Sequence, residues 1–230
     1  MTAAELEQTW NTQQLAAPVA APRFAVWTYE VPAVVLGCSQ RGELAALQAR
    51  APHLPALVRA SGGGAVLTGP WMVSSSVVLP PEHPWVRPRI NDSYQPLAEL
   101  YERLLAGLGV DAVGLPPAEV PGMDARLGPK IAWSCYGGLG AWELVDRGRG
   151  RKLVGLAQRR QRHGVLLVAG TLVEPPEWPL LCAALGHAGD AEAMRGRTVS
   201  CRALAPAFVS AQDYAARLRE ALARALPNAA

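Results

Sequence analysis

Three short stretches of this 230-residue chain combine residue types that could do chemistry. Arg59-Ala-Ser-Gly-Gly-Gly-Ala65 follows an apolar run and sets an arginine beside three consecutive glycines. Such a run lets the backbone approach a ligand closely and aim successive N–H groups at an anionic oxygen, with Arg59 as a fixed positive fork. It is neither a Walker A loop, since no Lys-Ser/Thr follows, nor a dinucleotide fingerprint; a mobile turn is the alternative. Gly150-Arg-Lys-Leu-Val-Gly155 puts Lys152, one of only two lysines, at the head of an apolar run. An ammonium there can neutralise a phosphate or polarise an acyl carbonyl, unless it is a solvated strand-edge residue. The third stretch carries Cys135, either a nucleophilic thiol or a small packing residue.

The remaining cysteines, Cys38, Cys182 and Cys201, read as packing residues. With no C-x-x-C pair and no histidine at ligand spacing, no metal is expected. The net charge is +3, with arginines clustered from Arg147 to Arg162. Aromatic residues do not interleave with them, so nucleic-acid binding is not expected and a solvated face is. Half of the chain is apolar and 18% is charged, enough for a sizeable core. The longest apolar stretch, Val165 to Val173, is about half of the ~20 residues a membrane span needs. The first residues show neither a basic nor an apolar leader segment. A soluble, cytoplasmic protein without membrane partners is the expectation.

The elements that must position these residues follow from periodicity. Ala3–Ala16 reads as an amphipathic helix capped by Thr2, with Leu6, Trp10 and Leu15 as its apolar residues. Strands are expected at 23–29, 34–37, 54–58 and 72–79, the last with an unusual Ser74-Ser75-Ser76 centre. Helices are expected at 42–50, 92–108, 178–185 and 211–226. Apolar runs at 131–136, 141–145, 152–156 and 165–173 suggest an antiparallel meander. The sum is a single α+β domain over residues 1–230, a mixed or antiparallel sheet with packed helices.

Four motifs in order give a resemblance to the lipoate–protein ligase A family, within the wider biotin and lipoate ligase and octanoyltransferase fold. They are Pro32-Ala-Val-Val-Leu-Gly-Cys-Ser-Gln40, Arg59 to Val66, Ser93-Tyr-Gln-Pro-Leu97, and Gly150 to Gln158 followed by His163-Gly-Val-Leu-Leu-Val-Ala-Gly-Thr171. The resemblance implies that Arg59, Ser61, Gly62, Gly63, Gly64 and Ala65 line the substrate site, together with Gly155 and Gly170. Lys152 would contact the reacting carbonyl and phosphate, and strands around Val34 and Val77 would supply an apolar acyl slot. An acyl adenylate attacked by an amine needs such a cation and such N–H donors for its phosphate and developing oxyanion.

The pattern departs from the ligases where they carry a His-Asp pair and an Asn, since here those positions are Thr68, Gly69 and Met72. Val58 stands for the first arginine of an Arg pair, and the C-terminal accessory domain of longer members is not expected within these residues. Ser134-Cys-Tyr-Gly-Gly-Leu-Gly-Ala-Trp-Glu-Leu144, ahead of Arg151-Lys152, is instead similar to the cysteine-dependent octanoyltransferases. In them the thiol takes an acyl group from acyl carrier protein, and neighbouring cations favour its reactive thiolate. Three readings follow, with the ligase placed ahead of the other two. The first is a ligase using lipoate, ATP and Mg to make lipoyl-AMP and modify a lipoyl-domain lysine, with a separate accessory subunit where one is needed. The second is an octanoyltransferase acting through Cys135. The third is a non-catalytic acyl-binding protein. Gly148-Arg-Gly-Arg151 resembles a biotin-ligase signature but lies beside the lysine strand, away from the glycine loop, and is read as coincidence.

Overall fold

The computed structural model describes residues 1–227. Its centre is a six-stranded, fully antiparallel sheet built from β1 (Arg23–Thr28), β5 (Met72–Leu79), β6 (Ala112–Gly114), β7 (Leu144–Asp146), β8 (Lys152–Gln161) and β9 (Gly164–Leu172), in the order β1-β5-β9-β8-β7-β6. A smaller mixed sheet has β2 (Ala33–Leu36) between β3 (Ala56–Val58), parallel to it, and β4 (Val66–Thr68), antiparallel. The expected α+β class and the β7–β8–β9 meander are both present.

Each face of the large sheet has its own core. One packs under α3 (Gln95–Ala106) and α8 (Ala211–Ala225), through Leu97, Tyr101, Leu218 and Leu222 against Val77 and Leu167. Each of these leucines, fully buried, contributes roughly 1.5–3 kcal/mol of transfer free energy. The other core joins the small sheet to α2 (Leu44–Arg50) and α5 (Trp178–Leu185), through Val34, Leu36, Leu47, Leu67 and Leu181. The three serines of β5 are buried and paired. Ser75 Oγ lies 2.7 Å from Tyr101 Oη on one face, and on the other Trp27 Nε1 donates to Ser76 Oγ at 3.2 Å. Hydrogen bonding offsets the cost of a polar strand centre.

Several expectations change. Residues 131–136 form no strand: they run as a loop into a 3-10 turn at Cys135–Gly137. β7 already pairs with β6 on one side and β8 on the other, so this run pairs instead with the glycine loop, through a bridge between Ala65 and Ser134. The Pro/Gly-rich segment contains α4 (Val120–Arg126), and α6 (Ala191–Arg197) and α7 (Cys201–Leu204) follow α5. Cys182 and Cys201 are buried as expected, and burial pushes the Cys182 thiol up to about 11. Cys38 is exposed, because the chain leaves β2 through an exposed 3-10 turn, Cys38–Glu43.

The first helix, α1 (Ala3–Gln14), also faces differently from its apolar pattern. Thr2 caps it in a reciprocal box with Glu5, but the buried side chains are Ala4, Glu7 and Asn11, and Leu6 is exposed. Tyr29 donates to Glu7 Oε2 at 2.8 Å, and Ser74 Oγ lies 2.7 Å on the far side of that phenol. Burial pushes the Glu7 carboxyl from 4.5 up to about 7, against the pull of Tyr29 and Arg59. A raised carboxyl stabilises the fold while protonated and loses that contribution as pH rises from 4.5 through 7. The unfolding free energy of Glu7→Gln, measured by urea titration, should therefore gain about 3 kcal/mol on wild type between pH 4 and pH 8; parallel profiles would contradict this.

Candidate active site

The site is assembled where the glycine loop, the Cys135 turn and the start of β8 meet. Gly64 lies against the 133–135 backbone, where a Cβ would fall 2.6 Å from Trp133 O and 2.8 Å from Cys135 N. Gly63 has φ +93°, a left-handed conformation natural to glycine. Ala65 N–H donates to Trp133 O at 2.8 Å and Cys135 N–H donates to Ala65 O at 2.9 Å, so the two segments are laced together. Arg59 organises the loop instead of offering a free fork. Its guanidinium donates to Gly62 O and Gly64 O at 2.9 Å. Among the described residues, no group accepts a hydrogen bond from the N–H of Gly62, Gly63 or Gly64.

Lys152 is buried and its three ammonium hydrogens are matched by three acceptors. Glu143 Oε1 is 2.6 Å away, Cys135 O 2.7 Å and Gly138 O 3.2 Å. Glu143 in turn accepts from Leu156 N–H at 3.1 Å and Gly140 N–H at 2.6 Å. This carboxylate was not among the residues singled out from sequence. Its signals were a charged residue inside the apolar run 141–145 and its place in the segment similar to the cysteine-dependent octanoyltransferases. The Lys152 ammonium also lies 5.1 Å from the centre of the Tyr136 ring, within cation–π range. Tyr136 donates to Gly170 O at 2.6 Å, and a Cβ at Gly155 or Gly170 would meet its phenol at 3.2 or 2.9 Å. The two strand glycines thus make room for this ring.

Two spaces meet at Cys135. The first is a narrow cavity of about 50 Å³, between the two sheets and α1. Val35, Val66, Met72, Leu156 and Val168 form its apolar walls, and Gly155 and Gly170 lie in its floor. The strands around Val34 and Val77 do supply part of this lining, through Val35 of β2 and Met72 and Ser74 of β5, while Val34 and Val77 themselves face the two cores, because alternate strand residues face opposite ways. The second is an open polar groove lined by Gln40, Gly63, Gly64, Lys130, Glu143 and Lys152. Cys135 is half-buried and lines both, as does Leu156. Arg147 and Arg151 take no part: they pair with Asp111 and Asp146 at the β7–β8 turn. Thr68 donates to Ala33 O and Met72 packs beside Gly170, so neither offers ionisable chemistry.

The geometry combines an apolar-walled cavity, unpaired N–H donors and a thiol at the boundary with an open groove, which suits acyl transfer. The lipoyl protein ligase A/B catalytic domain family matches residues 3–192. An octanoyltransferase, LipM of Kyrpidia tusciae, is 32% identical over 212 residues, covering 89% of this chain and 76% of that protein. Among solved structures, a bipartite lipoate protein ligase from Thermoplasma acidophilum superposes with TM-score 0.68 at 17% identity, over 97% of this chain and 78% of that one. A lipoate–protein ligase A bound with ATP gives TM-score 0.68 at 17% identity, over 97% and 81%. Among the described residues, no helix is long and apolar enough to cross a membrane. The chain belongs to the lipoyl protein ligase A/B catalytic domain family, enzymes that are lipoate–protein ligases or octanoyltransferases.

Proposed function

We propose that this chain is an acyltransferase of the octanoyltransferase kind, carrying a medium-chain acyl group on Cys135. The observation that supports it best is the position of that thiol, which lines both the cavity and the open groove. The Cys135 thiolate attacks the carbonyl of an acyl thioester on a carrier protein, forms the new C–S bond, and expels the carrier thiolate, which takes up a proton. An acceptor lysine amine, reaching in from the groove, then attacks the Cys135 thioester. The C–N bond forms, the amine loses a proton and the Cys135 thiol is restored. The N–H groups of Gly62, Gly63 and Gly64 serve the oxyanion in each step, as preorganised donors do elsewhere. Lys152 fixes the Cys135 carbonyl and with it the position of the turn.

The lipoate ligase reading, with lipoyl-AMP made from lipoate and Mg-ATP, has less support at these residues. Lys152 is saturated by Glu143 and two carbonyls, and Arg59 is bound to its own loop, which leaves Lys130 as the groove's unpaired ammonium among the described residues. Thioester exchange needs no triphosphate site. The proposal takes residues 1–230 as one catalytic unit, working in the cytoplasm with acyl carrier protein as donor and an apo lipoyl domain as acceptor.

The test is intact mass of an apo lipoyl domain incubated with this protein and octanoyl-acyl carrier protein, or with lipoate and Mg-ATP. Octanoylation by wild type that falls at least a thousandfold in Cys135→Ser is expected. Lipoylation that survives Cys135→Ser would overturn the proposal in favour of the ligase. Ligand binding without either product would leave the non-catalytic reading. Chemical denaturation of Lys152→Met should show a loss of about 3–5 kcal/mol, because Glu143 is left buried and uncompensated; an unchanged midpoint would contradict the paired geometry.

A further inference from the structure

The arginines at the tip of the β8–β9 hairpin are joined in the fold by a second source of charge. Gln158 donates to Ile90 O at 2.7 Å, and Arg160 donates to Arg87 O at 2.7 Å and to Ser93 Oγ at 2.5 Å. These bonds hold the Pro-rich segment 80–90 against the hairpin, so that Arg87 and Arg89 stand beside the tip that carries Arg160 and Arg162. Arg87, Arg89 and Arg162 are exposed, and Ile90 among them is 56% exposed. Among the described residues no carboxylate pairs with any of these arginines. Arg147 and Arg151, before β8, have Asp111 and Asp146 instead. The tip is therefore an uncompensated positive patch around an exposed apolar side chain, and its complement is an acidic surface.

The patch is continuous with the site. Leu156, Gln158 and Arg160 alternate onto one face of β8, and Leu156 lines the groove at Cys135. From Leu156 to Arg160 is about 13 Å along the strand. Burial pushes the Tyr94 phenol up to about 12; Gln158 and Arg160 oppose this, while Glu143 and Cys135 add to it. That phenol is thus within electrostatic reach of both patch and site. The separation distinguishes the two macromolecules that the reaction needs. A lysine side chain is short, so an acceptor domain must come up to the groove itself. A donor thioester rides on a phosphopantetheine arm several times longer, so the body of its carrier stays well away from Cys135. We propose that the arginine patch at the β8–β9 tip docks the donor's carrier protein through an acidic face of that carrier, at a distance its arm can span to Cys135. This rests on the acyl-transfer reading and names where its donor binds.

The experiment follows acylation of Cys135 by octanoyl-acyl carrier protein and by octanoyl-N-acetylcysteamine, which keeps the thioester and lacks the protein. Wild type is compared with Arg87→Glu/Arg89→Glu/Arg162→Glu. The replaced side chains are exposed, and Arg87 makes its bonds to Ser93 and Arg160 through its main chain, so the fold is kept. With the carrier donor, kcat/KM should fall at least tenfold in the variant, and the steep decline with added salt seen in wild type should flatten. With the small thioester the two proteins should be alike. Equal rates with the carrier, or a loss shared by the small thioester, would overturn the inference and leave acyl transfer through Cys135 standing. A variant that takes the octanoyl group normally but passes it slowly to the lipoyl domain would also overturn it, since the patch would then serve the acceptor. Failure of both donors to acylate wild-type Cys135 would overturn the function on which it rests.

Discussion

The candidate site depends on one buried ion pair. Taking a carboxylate and an ammonium out of water is costly, and their mutual attraction offsets it only when the remaining hydrogen-bonding positions are filled. Here they are filled by main chain. Lys152 adds the carbonyls of Cys135 and Gly138, and Glu143 adds the N–H groups of Gly140 and Leu156. Those partners belong to the 3-10 turn, the following glycine-rich stretch and β8. The pair therefore ties the irregular 135–143 segment onto the regular sheet and sets the position of the Cys135 backbone.

A second constraint reaches the same turn from the opposite side. The glycine loop is bonded to residues 133–135 through Ala65, and Arg59 holds the loop by its own carbonyls. Cys135 is thus fixed between two anchors, one ionic and one main-chain. Gly64 has to be glycine because the anchors bring two backbones into contact. Such rigidity suits the proposed acyl-bearing thiol, which would have to meet different partners from a single position.

Much of this was legible in sequence where a pattern repeats or a motif is long. α3, α5, α8 and the β8–β9 hairpin follow from apolar periodicity and turn residues, and the glycine loop announces itself by composition. Residues 131–136 were misread because a short apolar run has no periodicity to separate a strand from a loop that packs. The inward face of α1 was misread for a related reason. Leu6 and Trp10 mark an apolar stripe, but Glu7 and Asn11 are drawn inward by Tyr29 and by the cavity, features distant in sequence. Lys152 was identified, yet its saturation could not be, since its acceptors are backbone carbonyls and a glutamate whose proximity only the fold creates.

In the proposed reaction Cys135 bears the acyl group at the junction of cavity and groove. The most direct measurement omits the acceptor: the protein is mixed with octanoyl-acyl carrier protein, quenched in acid, and analysed by intact mass and peptide mapping. One octanoyl group per chain is expected, on the peptide containing Cys135 and removable by hydroxylamine. An unmodified protein, or an acyl group on any other residue, from a preparation that still modifies the acceptor would contradict it.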